Sequence, residues 1–100
     1  MKKTLKPKIR HILVETNLIL SEKEYYNLIK WQYLQFYGIF GLSQLNLHVS
    51  FAVDKLIVSC NNSEKDKLIF VLATINRANE VPVYFRAKMV SGTIKSLVKQ

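Results

Sequence analysis

The sequence is poor in the residues that build disulfide and metal-based frameworks. Its 100 residues include one cysteine, Cys60, and two histidines, His11 and His48. A single thiol forms no internal disulfide, and the two histidines lack the spacing of metal ligands. We therefore expect no disulfide scaffold, no metal and no cofactor, and we expect an intracellular protein.

Long apolar runs and glycine-rich loops are also missing. No stretch approaches the roughly 20 apolar residues that a membrane-spanning helix needs, and the charged start lacks the apolar core of a signal peptide. The three glycines form no nucleotide-binding loop. These absences argue against a membrane partner and against a nucleotide-dependent enzyme.

Acidic residues are scarce at both ends of the chain. Residues 1–10 carry five basic residues and no acid, and residues 81–100 carry four basic residues and no acid. The segment between them has six basic and seven acidic residues, so the net charge of +8 resides at the two ends. Such an excess suits a polyanion, nucleic acid first and an anionic membrane surface second. A solvated lysine-rich surface is the alternative.

The clearest single element is residues 45–53, in which apolar and polar residues alternate. This period of two predicts a half-buried strand. A tight turn at residues 54–55 then leads to a second strand, residues 56–60, with Phe51 opposite Val58. In this register Cys60 and His48 point to opposite faces of the hairpin, so they form no nucleophile–base pair. We expect no active site in this chain.

A helix precedes this hairpin. Residues 21–24 form a capping box, which predicts a helix that stops at Gly38. Trp31 and Leu34 lie on the outer side of this helix, so they are either peripheral packing or contacts to a protein partner. The predicted core-facing arc comprises Tyr25, Tyr26, Ile29, Tyr33, Phe36 and Tyr37.

A second helix follows the hairpin, from Ser63 to Asn79, with apolar residues at helical spacing. Residues 9–16 and 81–90 are strand-like, the latter at a sheet edge because it contains proline, and residues 94–98 form a terminal helix. The order predicts an α+β fold: a ferredoxin-like, split βαβ two-layer sandwich whose antiparallel sheet carries two packed helices. We divide the chain into a basic N-terminal arm, residues 1–8, and one RNA-binding domain, residues 9–100.

This topology places the first strand beside the last, so the two basic ends should merge into one patch. Ser91-Gly92-Thr93 precedes the terminal helix, where free N–H groups favour phosphate; a glycine turn capped by Thr93 is the alternative. The first and third strands lack aromatic residues, so contacts to phosphates and shape are expected rather than base stacking. The predicted RNA-binding residues are Lys6, Lys8, Arg10, Arg86, Lys88, Ser91, Gly92, Thr93 and Lys95.

Several short motifs carry a family resemblance. They are Arg-His-Ile-Leu-Val-Glu (10–15), Tyr-Gly-Ile-Phe-Gly-Leu-Ser (37–43), Phe-Ala-Val (51–53), the strand that ends in Cys60, and Val-Ser-Gly-Thr-Ile-Lys (90–95). In this order they resemble the Pop-five-type protein subunit of eukaryotic and archaeal ribonuclease P, which in eukaryotes also serves RNase MRP. The sequence departs from the family pattern at Ser59, where a basic residue is common, and in its short hairpin turn.

The resemblance implies a non-catalytic subunit of a ribonucleoprotein in which the RNA is catalytic. Its expected role is to stabilise the catalytic domain of that RNA during 5′-leader removal from precursor tRNA and, with RNase MRP, during rRNA processing. The implied partners are the ribonuclease P RNA, the MRP RNA in a eukaryote, and a TIM-barrel-like protein subunit. The implied location is the nucleus and nucleolus of a eukaryote or the cytoplasm of an archaeon. The alternative is a protein–protein interaction module with an incidental basic surface.

Overall fold

The computed structural model describes residues 8–78 and 80–98. A short 3-10 turn connects the third strand to the second long helix. The elements are β1 (Ile9–Thr16), α1 (Glu22–Leu45), β2 (His48–Ala52), β3 (Lys55–Asn61), α2 (Lys65–Thr74), β4 (Arg77–Ala78), β5 (Val81–Pro82), β6 (Phe85–Ser91) and α3 (Ile94–Val98).

Four of the strands form one antiparallel sheet in the order β2-β3-β1-β6. Strands β4 and β5 form a separate two-stranded hairpin. Because the first and third main strands are central and the last lies beside the first, the order is that of a split βαβ fold. The predicted ferredoxin-like sandwich with its short C-terminal helix is confirmed.

Helices α1 and α2 bury their apolar residues against one face of the sheet. Tyr25, Ile29 and Tyr33 are buried as the helical spacing predicts, whereas Phe36 is 46% exposed and does not belong to the core. The largest fully buried side chains are Tyr33, Ile12, Ile29, Leu45, Ile57, Leu68, Leu72 and Leu97. Ile57 and Leu97 lie outside the main core cluster. Helix α3 packs against β1 and β6.

Helix α1 runs further than the sequence predicts. Its capping box is present at Ser21 and Glu24, and Gly38 leaves the helical conformation at φ 70° and ψ −176°. The chain then resumes the helix as far as Leu45, where left-handed Asn46 caps it. The strand predicted from residue 45 therefore begins at His48.

The hairpin register differs from the prediction by two residues. Phe51 pairs with Leu56, not with Val58, because the two loop residues are Val53 and Asp54, both at positive φ. A shift of two residues keeps each side chain on its face of the sheet. For the paired residues the predicted face of each side chain is therefore retained although the predicted pairs are wrong. Val53, predicted on the inner face, lies in the turn and is 73% exposed.

The second half of the chain is more divided than predicted. Helix α2 begins at Lys65, with Glu64 as its N-cap residue in place of Ser63, and ends at Thr74. The predicted helix end at Asn79 lies outside the described residues. The single strand predicted over 81–90 is two strands, β5 and β6, and the pairing of β6 with β1 shifts register between Leu13 and Val14.

Candidate nucleic-acid interface

One group of predicted RNA-binding residues gathers where β1 begins and β6 ends. His11 pairs with Ser91, and a β-carbon built on Gly92 would lie 3.4 Å from Nη1 of Arg10. The same Arg10 nitrogen donates to the carbonyl of Ile9 at 3.1 Å. The predicted approach of the start of β1 to the end of β6 is confirmed at this point. We call this group the end cluster: Lys8, Arg10, Ser91, Gly92, Thr93 and Lys95.

The turn after β6 is held by its own hydroxyl groups. The Thr93 N–H donates to Oγ of Ser91 at 3.1 Å. The Ser96 N–H donates to Oγ1 of Thr93 at 3.4 Å, and the hydroxyl oxygens of these two residues are 3.0 Å apart. The turn therefore has the geometry of the alternative prediction, a glycine turn capped by Thr93, and its hydroxyl groups have partners within the protein. Phosphate binding here stays a prediction.

A second group of basic residues lies at the other end of the β1–β6 pair. Nη1 of Arg86 and Nζ of Lys88 each lie 3.7 Å from Oε1 of Glu15. The Arg86 guanidinium also stacks 5.3 Å above the ring of Tyr84. We call these four residues the Glu15 cluster. Arg86 and Lys88, two of the predicted RNA-binding residues, therefore lie together, but around Glu15, which the sequence did not predict beside them.

The two clusters do not form the single patch that the sequence predicts. Glu15 pairs with Arg86, four residues along β1 from the His11–Ser91 pair. At about 3.3 Å per residue this separation is ~13 Å. Lys88 therefore belongs to the Glu15 cluster and not to the end cluster, because β1 and β6, of eight and seven residues, are long enough to hold the two clusters apart.

The remaining lysines of the predicted site have simpler surroundings. Lys8 and Lys95 are exposed. The Lys8 carbonyl accepts a hydrogen bond from the Asn62 N–H at 2.7 Å, which extends the β1–β3 ladder. Lys6 lies outside the described residues.

The histidines and the cysteine occupy three different environments. Nδ1 of His11 lies 2.6 Å from Oγ of buried Ser59, and the His11 side chain is itself partly buried. Burial, and secondarily Arg10, lowers the pKa of His11. His48 is exposed, whereas Cys60 is buried in the core, where loss of hydration raises its pKa to about 11. The predicted separation of His48 from Cys60 is confirmed.

Helix α1 exposes apolar residues in addition to the two predicted protein contacts. Trp31 is 61% exposed, and Leu34 is half-buried beside it on α1. Sequence reasoning missed Ile39 and Phe40, which are 79% and 78% exposed. The sequence feature that could have indicated them is the position of two apolar residues directly after Gly38. Because Gly38 interrupts the helix, these residues do not continue its core-facing arc.

The described residues also restrict other types of site. Across residues 8–78 and 80–98, no helix combines the length and the apolar character needed to cross a membrane. Within the same ranges, no three or more potential metal-ligating side chains of histidine, cysteine, aspartate or glutamate form a group suited to a metal ion.

Comparison with known proteins identifies the family. The sequence model of the Rpp14/Pop5 family matches residues 7–100, which is nearly the whole chain. The chain belongs to the Rpp14/Pop5 family. This result confirms the resemblance carried by the short motifs, and membership of the Rpp14/Pop5 family indicates a protein subunit of ribonuclease P or RNase MRP. No curated protein sequence matches the chain.

A solved structure supports the same fold for this Rpp14/Pop5 protein. The chain is similar to a chain in the cryo-EM structure of yeast ribonuclease MRP, with a TM-score of 0.70 and 10% sequence identity. The similarity covers 91% of this chain and 79% of that chain. At this identity the likeness establishes a shared fold.

Proposed function

We propose that this protein is a non-catalytic subunit of ribonuclease P, in which RNA performs the removal of the 5′ leader from precursor tRNA. The family match over residues 7–100 is the observation that carries this proposal. In a eukaryote the same chain would also serve RNase MRP in rRNA processing and would work in the nucleus and nucleolus. In an archaeon it would work in the cytoplasm.

The proposed role of the protein is to stabilise the catalytic domain of the RNA through phosphate and shape contacts. The end cluster supplies two exposed cations, Lys8 two residues before Arg10 and Lys95 three residues after Gly92, together with the half-buried Arg10. In the Glu15 cluster, one carboxylate partly neutralises Arg86 and Lys88. We therefore assign the larger phosphate contribution to the end cluster. Lys6, outside the described residues, is assigned to the same RNA surface from its charge.

The proposed protein partner is the TIM-barrel-like subunit of the same complex. Trp31 and Leu34 on α1 are the proposed contacts, because an exposed tryptophan is a frequent anchor of protein interfaces. This surface lies on the helical layer, whereas the proposed RNA contacts lie along β1, β6 and α3. One molecule of the protein can therefore contact RNA and a protein partner at the same time.

The test is equilibrium binding of ribonuclease P RNA from the source organism over a range of potassium chloride concentrations. We expect Lys95→Ala to weaken binding and to reduce the slope of log affinity against log salt by about one, as the removal of one phosphate contact requires. Lys88→Ala should have a smaller effect, because Glu15 already offsets its charge. Lys30→Ala on α1 is the control with the same change of charge and should leave the slope unaltered.

The alternative function is a protein-interaction module with an incidental basic surface, and the exposed pair Ile39 and Phe40 favours it. Recovery of the tagged protein from its own cells distinguishes the two. Co-purification of one structured non-coding RNA supports the ribonuclease P assignment. Recovery of protein partners alone, unchanged by RNase treatment and by salt that abolishes RNA binding, would replace it with the interaction module.

A further inference from the structure

The sheet contains a notch beside the end of β1. Val14 pairs with Leu56 of β3, but Glu15 and Thr16 continue beyond this pair and are joined only to β6. The tight turn at residues 53–54 ends the β2–β3 hairpin before it can cover them. A cavity of about 460 Å³ lies here, between that turn and the loop that precedes α1.

The walls of the cavity are mainly apolar and include an accessible aromatic ring. Phe51 is 43% exposed and meets the ring of Tyr25 edge-on, with the centroids 5.9 Å apart. The side chains of Leu13 and Ile19 contribute further apolar lining. This volume lies within the roughly 300–1,000 Å³ of typical small-molecule sites, so the cavity can accept a planar ring without rearrangement of the core.

One polar atom in the wall lacks a partner. Oε1 of Glu15 is shielded from solvent, and no described residue gives it a hydrogen bond. The nearest cations, on Arg86 and Lys88, are 3.7 Å away, which balances its charge but is too far for hydrogen bonding. A buried acceptor without a donor is costly. The Arg86 and Lys88 side chains beside it are 63% and 49% exposed, so they can move aside for a ligand that donates an N–H to this oxygen.

We propose that this cavity binds an unpaired guanine nucleotide of RNA. Guanine presents two adjacent N–H donors on its Watson–Crick edge, which match the acceptor oxygens of Glu15. Its ring faces suit Phe51 and the apolar wall, and Lys55 and Lys88, which also line the cavity, can hold its phosphate. The inference rests on the proposed RNA-binding function and adds to it a site that reads a base.

A peptide ligand fits the same notch less well. Addition of a peptide strand to a sheet requires an exposed edge, and the edge left free by β3 is only Glu15–Thr16. Strands are usually at least three residues long. Lys88 belongs to the Glu15 cluster, so the cavity is continuous with the proposed RNA surface.

The test is a two-dimensional NMR titration of the full chain with guanosine 5′-monophosphate. We expect saturable shifts of the Glu15, Thr16, Phe51 and Lys55 amides. Inosine 5′-monophosphate, which lacks the 2-amino group, should bind about tenfold more weakly, as the loss of one hydrogen bond to a charged acceptor implies. Uridine 5′-monophosphate should bind more weakly still, and ribose 5-phosphate should give no saturable shift at these amides.

Two variants and one control connect the binding to the proposed contacts. Glu15→Gln should remove the preference for guanosine over inosine monophosphate, and Phe51→Leu should weaken both nucleotides while keeping the charge. Asp66→Asn, an exposed carboxylate on α2, makes the same change of charge elsewhere and should retain the preference. Amide spectra of the free variants show whether each one is folded, so Phe51→Leu still tests the site if Glu15→Gln does not fold.

The guanine site would be overturned by equal shifts with ribose 5-phosphate or by the absence of a saturable shift with any nucleotide. An acetylated Val-Thr-Val peptide amide tests strand addition at the same notch, and shifts at these amides with this peptide alone would also overturn the guanine site. Binding of ribonuclease P RNA, measured in parallel, separates this failure from that of the proposed function. RNA binding without guanosine monophosphate binding removes the cavity site alone. Guanosine monophosphate binding without RNA binding supports the cavity site and removes the ribonuclease P assignment.

Discussion

A row of polar residues lies on the sheet face that α1 and α2 leave uncovered, and one of them, His11, has an electrostatic role that the others lack. His48, Ser59, His11 and Ser91 are neighbours across all four strands. Of the two histidines only His11 is partly buried, with Nδ1 at 2.6 Å from Oγ of Ser59. Ser59 occupies the position where the family resemblance implies a basic residue. A charged side chain there would lie buried beside His11, so the serine suits this local environment.

The stability of the protein should depend on pH through His11. Burial, followed by Arg10, lowers the pKa of His11 in the folded state, so the unfolded chain binds the proton more readily. Its contribution to stability is therefore complete above the unfolded pKa of about 6.5 and is lost as the pH falls below that value. We expect the free energy of unfolding, measured with urea, to fall between pH 7.5 and pH 5.5.

Substitutions at the two histidines separate this effect from general acid sensitivity. His11→Gln should flatten the pH dependence in this range, whereas His48→Gln, on the exposed edge strand, should retain it because His11 is still present. The same slope in wild type and His11→Gln would contradict the assignment. An NMR titration of the His11 ring gives its folded-state pKa directly, and a value at or above that of the unfolded chain would contradict it independently.

At the scale of elements, the two long helices begin differently although their sequences look alike. Ser21 accepts from the Glu24 N–H at 3.2 Å, and Glu24 accepts in return from the Ser21 N–H at 3.0 Å. Ser63 precedes α2 in a similar context but bonds only the side chain of its neighbour Glu64. Ser21→Ala should therefore lower the free energy of unfolding by about 1 kcal/mol. Ser63→Ala should change it by less than ~0.5 kcal/mol, with both measured by urea denaturation.

Comparable losses from the two serine variants would show that α2 also depends on a serine cap. That result would restore the start of α2 predicted from the sequence, at Ser63. A loss from neither variant would show that the capping box contributes little beside the tertiary packing of α1.

The end of α1 shows why some boundaries were not predictable. Leu45 and Leu47 fit the alternation of a strand, whereas Leu42 and Leu45 fit one face of a helix. The segment 42–47 is therefore compatible with both structures. Burial decides between them: Leu45 is fully buried as a helical residue, and left-handed Asn46 ends the helix. Glycine at position 38 was predicted as a stop and does break the helix, but nothing local indicates that the helix resumes.

The hairpin turn was predicted one residue too late, at residues 54–55, because its sequence is atypical. Turns of two residues at positive φ favour Asn-Gly or Asp-Gly, and a β-branched residue such as Val53 rarely adopts that conformation. The structure nevertheless places Val53 at φ 50° and Asp54 at φ 64°. Periodicity fixed the faces of the hairpin, since a shift of two residues conserves them, but it did not fix the pairs.

At the scale of the whole molecule, topology is what made part of the candidate site predictable. Because β1 and β6 are antiparallel neighbours, the start of β1 lies beside the end of β6, and the contact of Arg10 with the turn at Gly92 follows from the element order. The Glu15 cluster did not follow, because the register shift that places both Arg86 and Lys88 near one carboxylate depends on backbone geometry. Sequence therefore predicted which charges lie near the β1–β6 edge but not which of them are neutralised.

The distribution of charge also predicts a difference between the N-terminal arm and the helical layer. Replacement of Lys2, Lys3 and Lys6 by glutamine should flatten the salt dependence of RNA binding, by up to about 0.7–0.9 in slope for each phosphate that the arm no longer neutralises. The free energy of unfolding should stay within ~0.5 kcal/mol, because β1 begins only at Ile9. The control replaces Lys23, Lys30 and Lys65, which lowers the charge equally on α1 and α2. Equal slopes for the two triple variants would mean that affinity follows net charge alone, and that the RNA has no preferred side of the molecule.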